Sequence, residues 1–191
     1  MAVQSNLDLP LGTTPPPFAL PDVVSGLTVA ADDYLTARAL LVTFICNHCP
    51  YVIHIRPGLV EFAREYQPRG LAMVAINSND PQAYPEDSPE QMKFEAQKWE
   101  FTFPYLFDRS QQTARDYRAV CTPEFYLFDS ARHLVYRGRF DGSRPNNGVR
   151  VTGAELRAAV DAVLADRPVP GDQIPSIGCS IKWRPGGAAQ G

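Results

Sequence analysis

The stretch Leu40-Leu41-Val42-Thr43-Phe44-Ile45, followed at once by Cys46-Asn47-His48-Cys49-Pro50, constrains this chain more than any other. An uncharged, mostly apolar run of this kind has the pattern of a strand buried on both faces, inside a sheet covered by helices. After Pro50, the residues Val52, Ile55, Leu59, Phe62 and Tyr66 recur at spacings of three and four and share one face of a helix. A helix begun at Cys46 would carry Pro50 in its interior, at a cost of about 3 kcal/mol or more. Begun at Pro50, it has proline at the favoured first position and Cys49 at the N-cap, with its sulfur in the positive end of the helix dipole. A helix N-terminus is a place where a thiol pKa falls from about 8.5 toward roughly 3.5–7.5. The pair therefore reads as a redox site, with Cys49 the nucleophile and Cys46 its resolving partner. The bland alternative is two inert thiols, since free cysteine is among the most buried residue types.

The remaining chain supplies a frame for that junction. Five prolines among residues 1–21 impose an extended path. Phe18-Ala19-Leu20 and Leu27-Thr28-Val29 predict a minor hairpin around Ser25-Gly26. Leu71 to Ile76 is a second buried strand, and strand–helix–strand implies parallel pairing with a right-handed crossover. Ser88-Pro89-Glu90-Gln91 predicts a capped helix that buries Met92, Ala96 and Trp99. A shorter helical piece follows around Gln111 to Arg118. Phe125 to Phe128 and His133 to Phe140 predict an antiparallel hairpin turned at Asp129-Ser130-Ala131-Arg132. Thr152-Gly153-Ala154-Glu155 predicts a capping box for a last helix with Leu156, Val160 and Val163 inside. From Asp166 onward, four prolines and five glycines predict an irregular tail. The expected organisation is a domain over 1–165, including the Pro-rich N-terminal segment, and a tail over 166–191 packed on it. The fold class is α/β with a mixed central sheet.

Composition narrows the function. The 191 residues are 45% hydrophobic and 20% charged with a net charge of −3, so neither nucleic acid nor an anionic membrane is an implied partner. The first residues show neither a basic n-region nor an apolar h-region, and the longest apolar run is too short to span a bilayer. Four cysteines in that setting point to a reducing compartment, the cytoplasm, where paired thiols are catalytic or metal-binding more often than structural. No glycine-rich nucleotide loop appears, so no organic cofactor is expected. Oligomeric state is left open.

With these residues in view, the chain resembles the thioredoxin-like superfamily, and more closely its peroxiredoxin-like bacterial branch. The resemblance runs from Pro17-Phe18-x-Leu20 through Cys-x-x-Cys, Pro57 and Thr122-Pro123 to the final hairpin. In thioredoxins the nucleophile lies five residues after a strand phenylalanine and eight before a helix proline, as Cys49 does relative to Phe44 and Pro57. The family's usual second cysteine, however, falls on Val52, and the partner thiol Cys46 lies upstream. The peroxiredoxin pattern Pro-x-x-x-Thr-x-x-Cys fits neither register: Val42 and Cys46 precede Cys49, while Ala39 and Thr43 precede Cys46. The resemblance implies a thiol–disulfide oxidoreductase that exchanges electrons with a dithiol or disulfide protein or a small thiol. It implies a cis proline at Thr122-Pro123 whose preceding residue offers its backbone to an extended substrate. A thiol-dependent peroxidase is the rival.

Three further residues carry open readings. Cys121 is either a second resolving thiol or a buried spectator. Cys179, in Ile177-Gly178-Cys179-Ser180-Ile181-Lys182-Trp183, belongs to a segment expected to dock on the domain, over the active site in one reading, with a resolving role or a packing one. His48 either tunes a thiolate and moves a proton, or is an exposed loop residue. Cys46, His48, Cys49 and Cys121 together are a set that zinc or copper would accept, but only one Cys-x-x-Cys knuckle exists and no metal is expected. His54 and His133 are assigned no role.

Overall fold

All six residues of Ala39–Phe44 are buried, because this strand lies at the centre of a five-stranded sheet with a hydrophobic cluster on each face. The computed structural model describes residues 2–186, so 187–191 of the expected tail lie outside the described residues. In chain order the strands are β1 (Ala2–Gln4), β2 (Ala19–Pro21), β3 (Thr28–Ala30), β4 (Ala39–Phe44), β5 (Leu71–Asn77) and β6 (Tyr105–Phe107). They continue as β7 (Cys121–Thr122), β8 (Glu124–Phe128), β9 (Leu134–Gly138) and β10 (Ile177–Ser180). The α-helices are α1 (Pro50–Tyr66), α2 (Pro89–Lys98), α3 (Gln112–Asp116) and α4 (Ala154–Leu164).

The main sheet runs β6-β5-β4-β8-β9, with β4, β5 and β6 parallel and β8 and β9 antiparallel to their neighbours. Period-two alternation splits β4 between the two cores. Ala39 and Leu41 join the face covered by α1, α2 and α4, while Leu40, Val42 and Phe44 meet Tyr117, Tyr126 and Phe128 behind. On α1 the anticipated stripe Val52, Ile55, Leu59, Phe62 and Tyr66 is buried. The hairpins β2–β3 and β8–β9 form where the sequence puts them, the second with a bulge between Leu127 and Phe128. The short β6 has no counterpart in the sequence reading.

Several local expectations are corrected. Ser88 does cap α2, its hydroxyl accepting from Gln91 N at 3.4 Å, but Trp99 is only half-buried, just past the last turn. Its indole N–H donates to Glu95 Oε2 at 3.2 Å, a polar tie that keeps the ring at the rim. The capping box at Thr152 does not form: the residue before α4 is Gly153, in the left-handed region at φ 67°. The Asp141 carboxylate takes the N–H groups of Thr152 and Gly153 instead, each at 2.6 Å, and Glu155 pairs with Arg139. The tail is irregular up to Ser176 and then becomes β10, sandwiched antiparallel between β1 and β7.

That last strand approaches its neighbour very closely. A Cβ placed on Gly178 would fall 2.0 Å from the carbonyl oxygen of Thr122, so only glycine lets β10 lie against β7. We predict that Gly178→Ala lowers stability by about 1–3 kcal/mol through forced overpacking. In urea unfolding and native-state hydrogen exchange, protection should fall first along residues 177–181. An unchanged midpoint with those amides still protected would mean that the close approach does not hold the strand.

Candidate active site

Strand β4 delivers the chain into a loop in which every polar group of one residue is engaged. Asn47 donates its backbone N–H to Asp87 Oδ1 at 2.7 Å and its side-chain amide to Glu86 O at 2.8 Å. Its Oδ1 accepts from Tyr105 OH at 3.1 Å, and its backbone oxygen accepts from Arg56 Nη2 at 2.9 Å. Arg56 is itself buried on α1 and pairs with Glu95. Buried polar groups stay put when each finds a partner, so Asn47 fixes the path between the two cysteines. Cys49 is then the N-cap of α1, in extended conformation, and Pro50 is at the first helical position.

Both thiols point at the same residue of β7. Cys49 Sγ donates to Thr122 O at 3.1 Å, and Cys46 Sγ lies 3.2 Å from Thr122 Oγ1. The Thr122-Pro123 bond is cis, and a shallow open cleft lined by Pro123, Tyr51, Arg139 and Ser143 lies beside it. Cys46 and Cys49 are 1% and 0% exposed. The neighbouring Cys46 thiol, acting against burial, brings the Cys49 pKa down to about 5, with help from the Cys179 thiol and the N–H groups of Val52 and Cys179. Burial and the adjacent Cys49 sulfur push Cys46 the other way, well above the usual thiol range. The helix N-terminus acts in the same direction as the donors on Cys49, by about 0.3–2 kcal/mol.

His48 is no idle loop residue. Its Nδ1 lies 2.6 Å from Asp87 Oδ2, its ring stacks on Tyr84 at 5.0 Å, and its side chain is 21% exposed. The Asp87 hydrogen bond raises the His48 pKa despite partial burial. Burial pushes Asp87 up, but His48, Asn79 and Asn47 N–H outweigh it and hold the carboxyl below its ordinary value. Cys46, His48 and Asp87 offer sulfur, nitrogen and oxygen atoms within 4.8 Å of one another. This differs from the four-residue set weighed in the sequence, because Cys121 faces Glu124 Oε2 and Pro123 O, each at 3.8 Å. The Asp87 carboxylate already accepts three hydrogen bonds, which leaves it poorly disposed toward an ion.

Cys121 is buried and its thiol is pushed far up by burial and by Glu124. Glu124, also buried, accepts from Ser5 Oγ and from Val120 N, and burial raises its pKa. Cys179 pairs with Thr122 across β10 and β7 and packs, half-buried, on the core cluster that holds Cys46 and Cys49. Burial and the Cys49 sulfur raise its pKa to about 11. Sequence reasoning missed Asp87, Tyr84, Asn79 and Glu124. Only Glu124 left a signal, a lone carboxylate directly before the apolar run Phe125-Tyr126-Leu127-Phe128. Among the described residues no helix is long and apolar enough to cross a membrane.

Comparison with known proteins places this geometry. The model of the AhpC/TSA family matches residues 11–137. No curated protein matches the chain. An uncharacterized conserved protein from Geobacillus kaustophilus is similar at 54% identity, with 97% of each chain covered and a TM-score of 0.94. The thioredoxin domain of a thiol-disulfide oxidoreductase from Bacteroides vulgatus shares 16% identity and a TM-score of 0.61 over 80% of this chain and 99% of its own. Peroxidoxin BcpB from Mycobacterium tuberculosis shares 17% identity and a TM-score of 0.61 over 82% of this chain and 97% of its own. The last two likenesses concern the fold, which is thioredoxin-like. With more than half of its length matched by the family model, the chain belongs to the AhpC/TSA family as a thioredoxin-like, peroxiredoxin-related protein.

Proposed function

We propose that this protein is a thiol–disulfide oxidoreductase working through Cys46 and Cys49. The observation that carries the reading is the placement of Cys49 at the head of α1, with Cys46 beside it on the same Thr122, where the Cys46 thiol brings the Cys49 pKa down to about 5. Such a sulfur is ionised at neutral pH and is the attacking group. Cys49 attacks one sulfur of a substrate disulfide. A mixed disulfide forms, and the substrate's other sulfur leaves with the electron pair. Cys46 then attacks Cys49 Sγ, releasing the second substrate thiol and leaving a Cys46–Cys49 disulfide. Two electrons pass to the substrate, and a dithiol protein or small thiol restores them.

For the second step Cys46 must lose a proton that burial makes hard to remove. His48, backed by Asp87 and reaching solvent, is the acceptor in range. The substrate lies in the cleft beside Pro123. The exchange runs in either direction, according to the potential of the partner. A reducing compartment such as the cytoplasm suits such a cycle.

Peroxidase chemistry is the second reading, favoured by the family match. Against it, the threonine nearest the peroxiredoxin register, Thr43, lies inside β4 and donates its hydroxyl to Glu124 O at 3.0 Å, so it is not free to orient a peroxide.

Four expected outcomes follow. In thiol/disulfide buffers, with alkylation trapping and peptide mapping by mass spectrometry, one two-electron transition should link Cys46 to Cys49. Cys46 found alkylated at every potential would overturn the pairing, and a sulfenic acid trapped by dimedone under peroxide would favour the peroxidase. Thiolate absorbance should titrate near pH 5, and Cys46→Ala should move that midpoint up by about one pH unit or more. This lowered pKa gives the reduced protein a stability contribution that is full above about 8.5 and lost as pH falls through about 5. Reduced protein whose urea midpoint does not rise from pH 5 to 8.5 relative to the oxidised form would contradict it. Asp87→Asn should lower the His48 pKa seen by NMR and slow the resolving step by on the order of 10²-fold. An unchanged rate would remove His48 from the proton path.

A further inference from the structure

The nucleophile proposed above has no exposed surface, and what covers it is informative. Cys49 is 0% exposed, Cys46 1% and Cys121 0%, while Cys179 alone among the four cysteines is partly open to solvent. Cys179 is held in place from several directions. Its strand pairs with β7 on one side, with Thr122 as the register partner of Cys179, and with β1 on the other. The carbonyl of that same Thr122 takes the Cys49 thiol at 3.1 Å. Gly178 permits the close approach, and β10 packs against α1, the helix that Cys49 caps. Two cysteines 130 residues apart thus meet at Thr122, Cys49 through its thiol on the carbonyl and Cys179 as the register partner across the strands, the first sealed in and the second half-buried.

We propose that Cys179 forms a disulfide with Cys49 and is the sulfur through which external thiols exchange electrons with the buried pair. The proposal rests on Cys49 being the redox nucleophile. Starting from the Cys46–Cys49 disulfide, Cys179 gives up its proton and attacks Cys49 Sγ. The Cys179–Cys49 bond forms as the Cys46–Cys49 bond breaks, and Cys46 keeps the electron pair and takes a proton. An external dithiol then attacks Cys179 Sγ, the one accessible sulfur, and Cys49 leaves as thiolate. The donor's second thiol attacks the donor sulfur in that mixed disulfide and releases Cys179, which is protonated. The donor ends as a disulfide and the protein has gained two electrons.

The chemistry favours this direction of attack. The better leaving group is the sulfur of lower pKa. Here that is Cys49, at about 5, against Cys179, at about 11. Attack at the exposed atom therefore expels the better leaving group. Attack at the buried atom would be obstructed and would expel the worse one. Cys121 does not compete, since it is buried and turned toward Glu124.

The test uses the full chain as Cys46→Ser, with Cys46→Ala as a second variant should the first misfold, titrated in glutathione buffers with alkylation trapping and peptide mapping. The expected result is a two-electron transition linking Cys49 to Cys179, which vanishes when Cys179→Ser is added. Cys49 recovered only reduced or as its glutathione mixed disulfide would overturn the proposal. The wild-type protein separates the two levels: if Cys49 stays reduced there too, the oxidoreductase reading itself falls. If wild type yields Cys46–Cys49 while both variants yield only glutathione adducts, that reading stands and the role of Cys179 falls. As a kinetic check, Cys179→Ser alone should slow reduction of the oxidised protein by dithiothreitol about tenfold or more, since the accessible sulfur is gone. An unchanged rate would also overturn it.

Discussion

The buried carboxylate of Asp87 is the constraint on which the cysteine loop depends. It accepts from the backbone of Asn47, from the ring of His48 and from the amide of Asn79. A buried carboxylate is tolerable only when its lone pairs are taken up in this way. Satisfying it fixes both residues between the two cysteines. The loop is therefore preorganised by a residue almost forty positions downstream, at the foot of α2. Arg56 and Tyr105 close the network from α1 and β6. Removing any one partner leaves the others buried and unpaired, which costs more than the lost bond itself.

Around that fixed loop, the electrostatics divide labour between two chemically identical groups. Burial alone would raise both thiols. Cys49 escapes because thiol and amide donors converge on it, while Cys46 serves as one of those donors and stays protonated. The helix dipole acts in the same direction as these donors. In the proposed cycle, a pair arranged in this way would have its nucleophile and its resolving thiol set apart before any substrate arrives.

Much of this was legible in the chain. Pro50 located the start of α1 and so the N-cap role of Cys49, because a proline inside a helix is costly and one at its start is not. The central strand and the stripe on α1 followed from periodicity. What could not be read were partnerships that exist only after distant segments meet. Asp87 and Tyr84 sit in a polar loop with no periodicity, and their value to His48 comes from how that loop folds back. The strand β10 was hidden because glycine and proline around it signal irregular chain, whereas here glycine is what admits a strand too close for any side chain. Thr152 promised a cap that Asp141 provides instead, a tertiary contact overriding a local pattern.

The seating of β10 on β7 also bears on the order in which the molecule assembles. The five strands of the central sheet, α1 and the two cysteines of its loop all lie within the first 138 residues, but the cover over Cys49 comes from β10, joined to β1 from the other end. Contacts of such long sequence separation form late, because their loop entropy must be met first. During synthesis the thiolate is therefore made before its cover. A nascent chain passes through an interval in which its most reactive sulfur is open to any oxidant nearby.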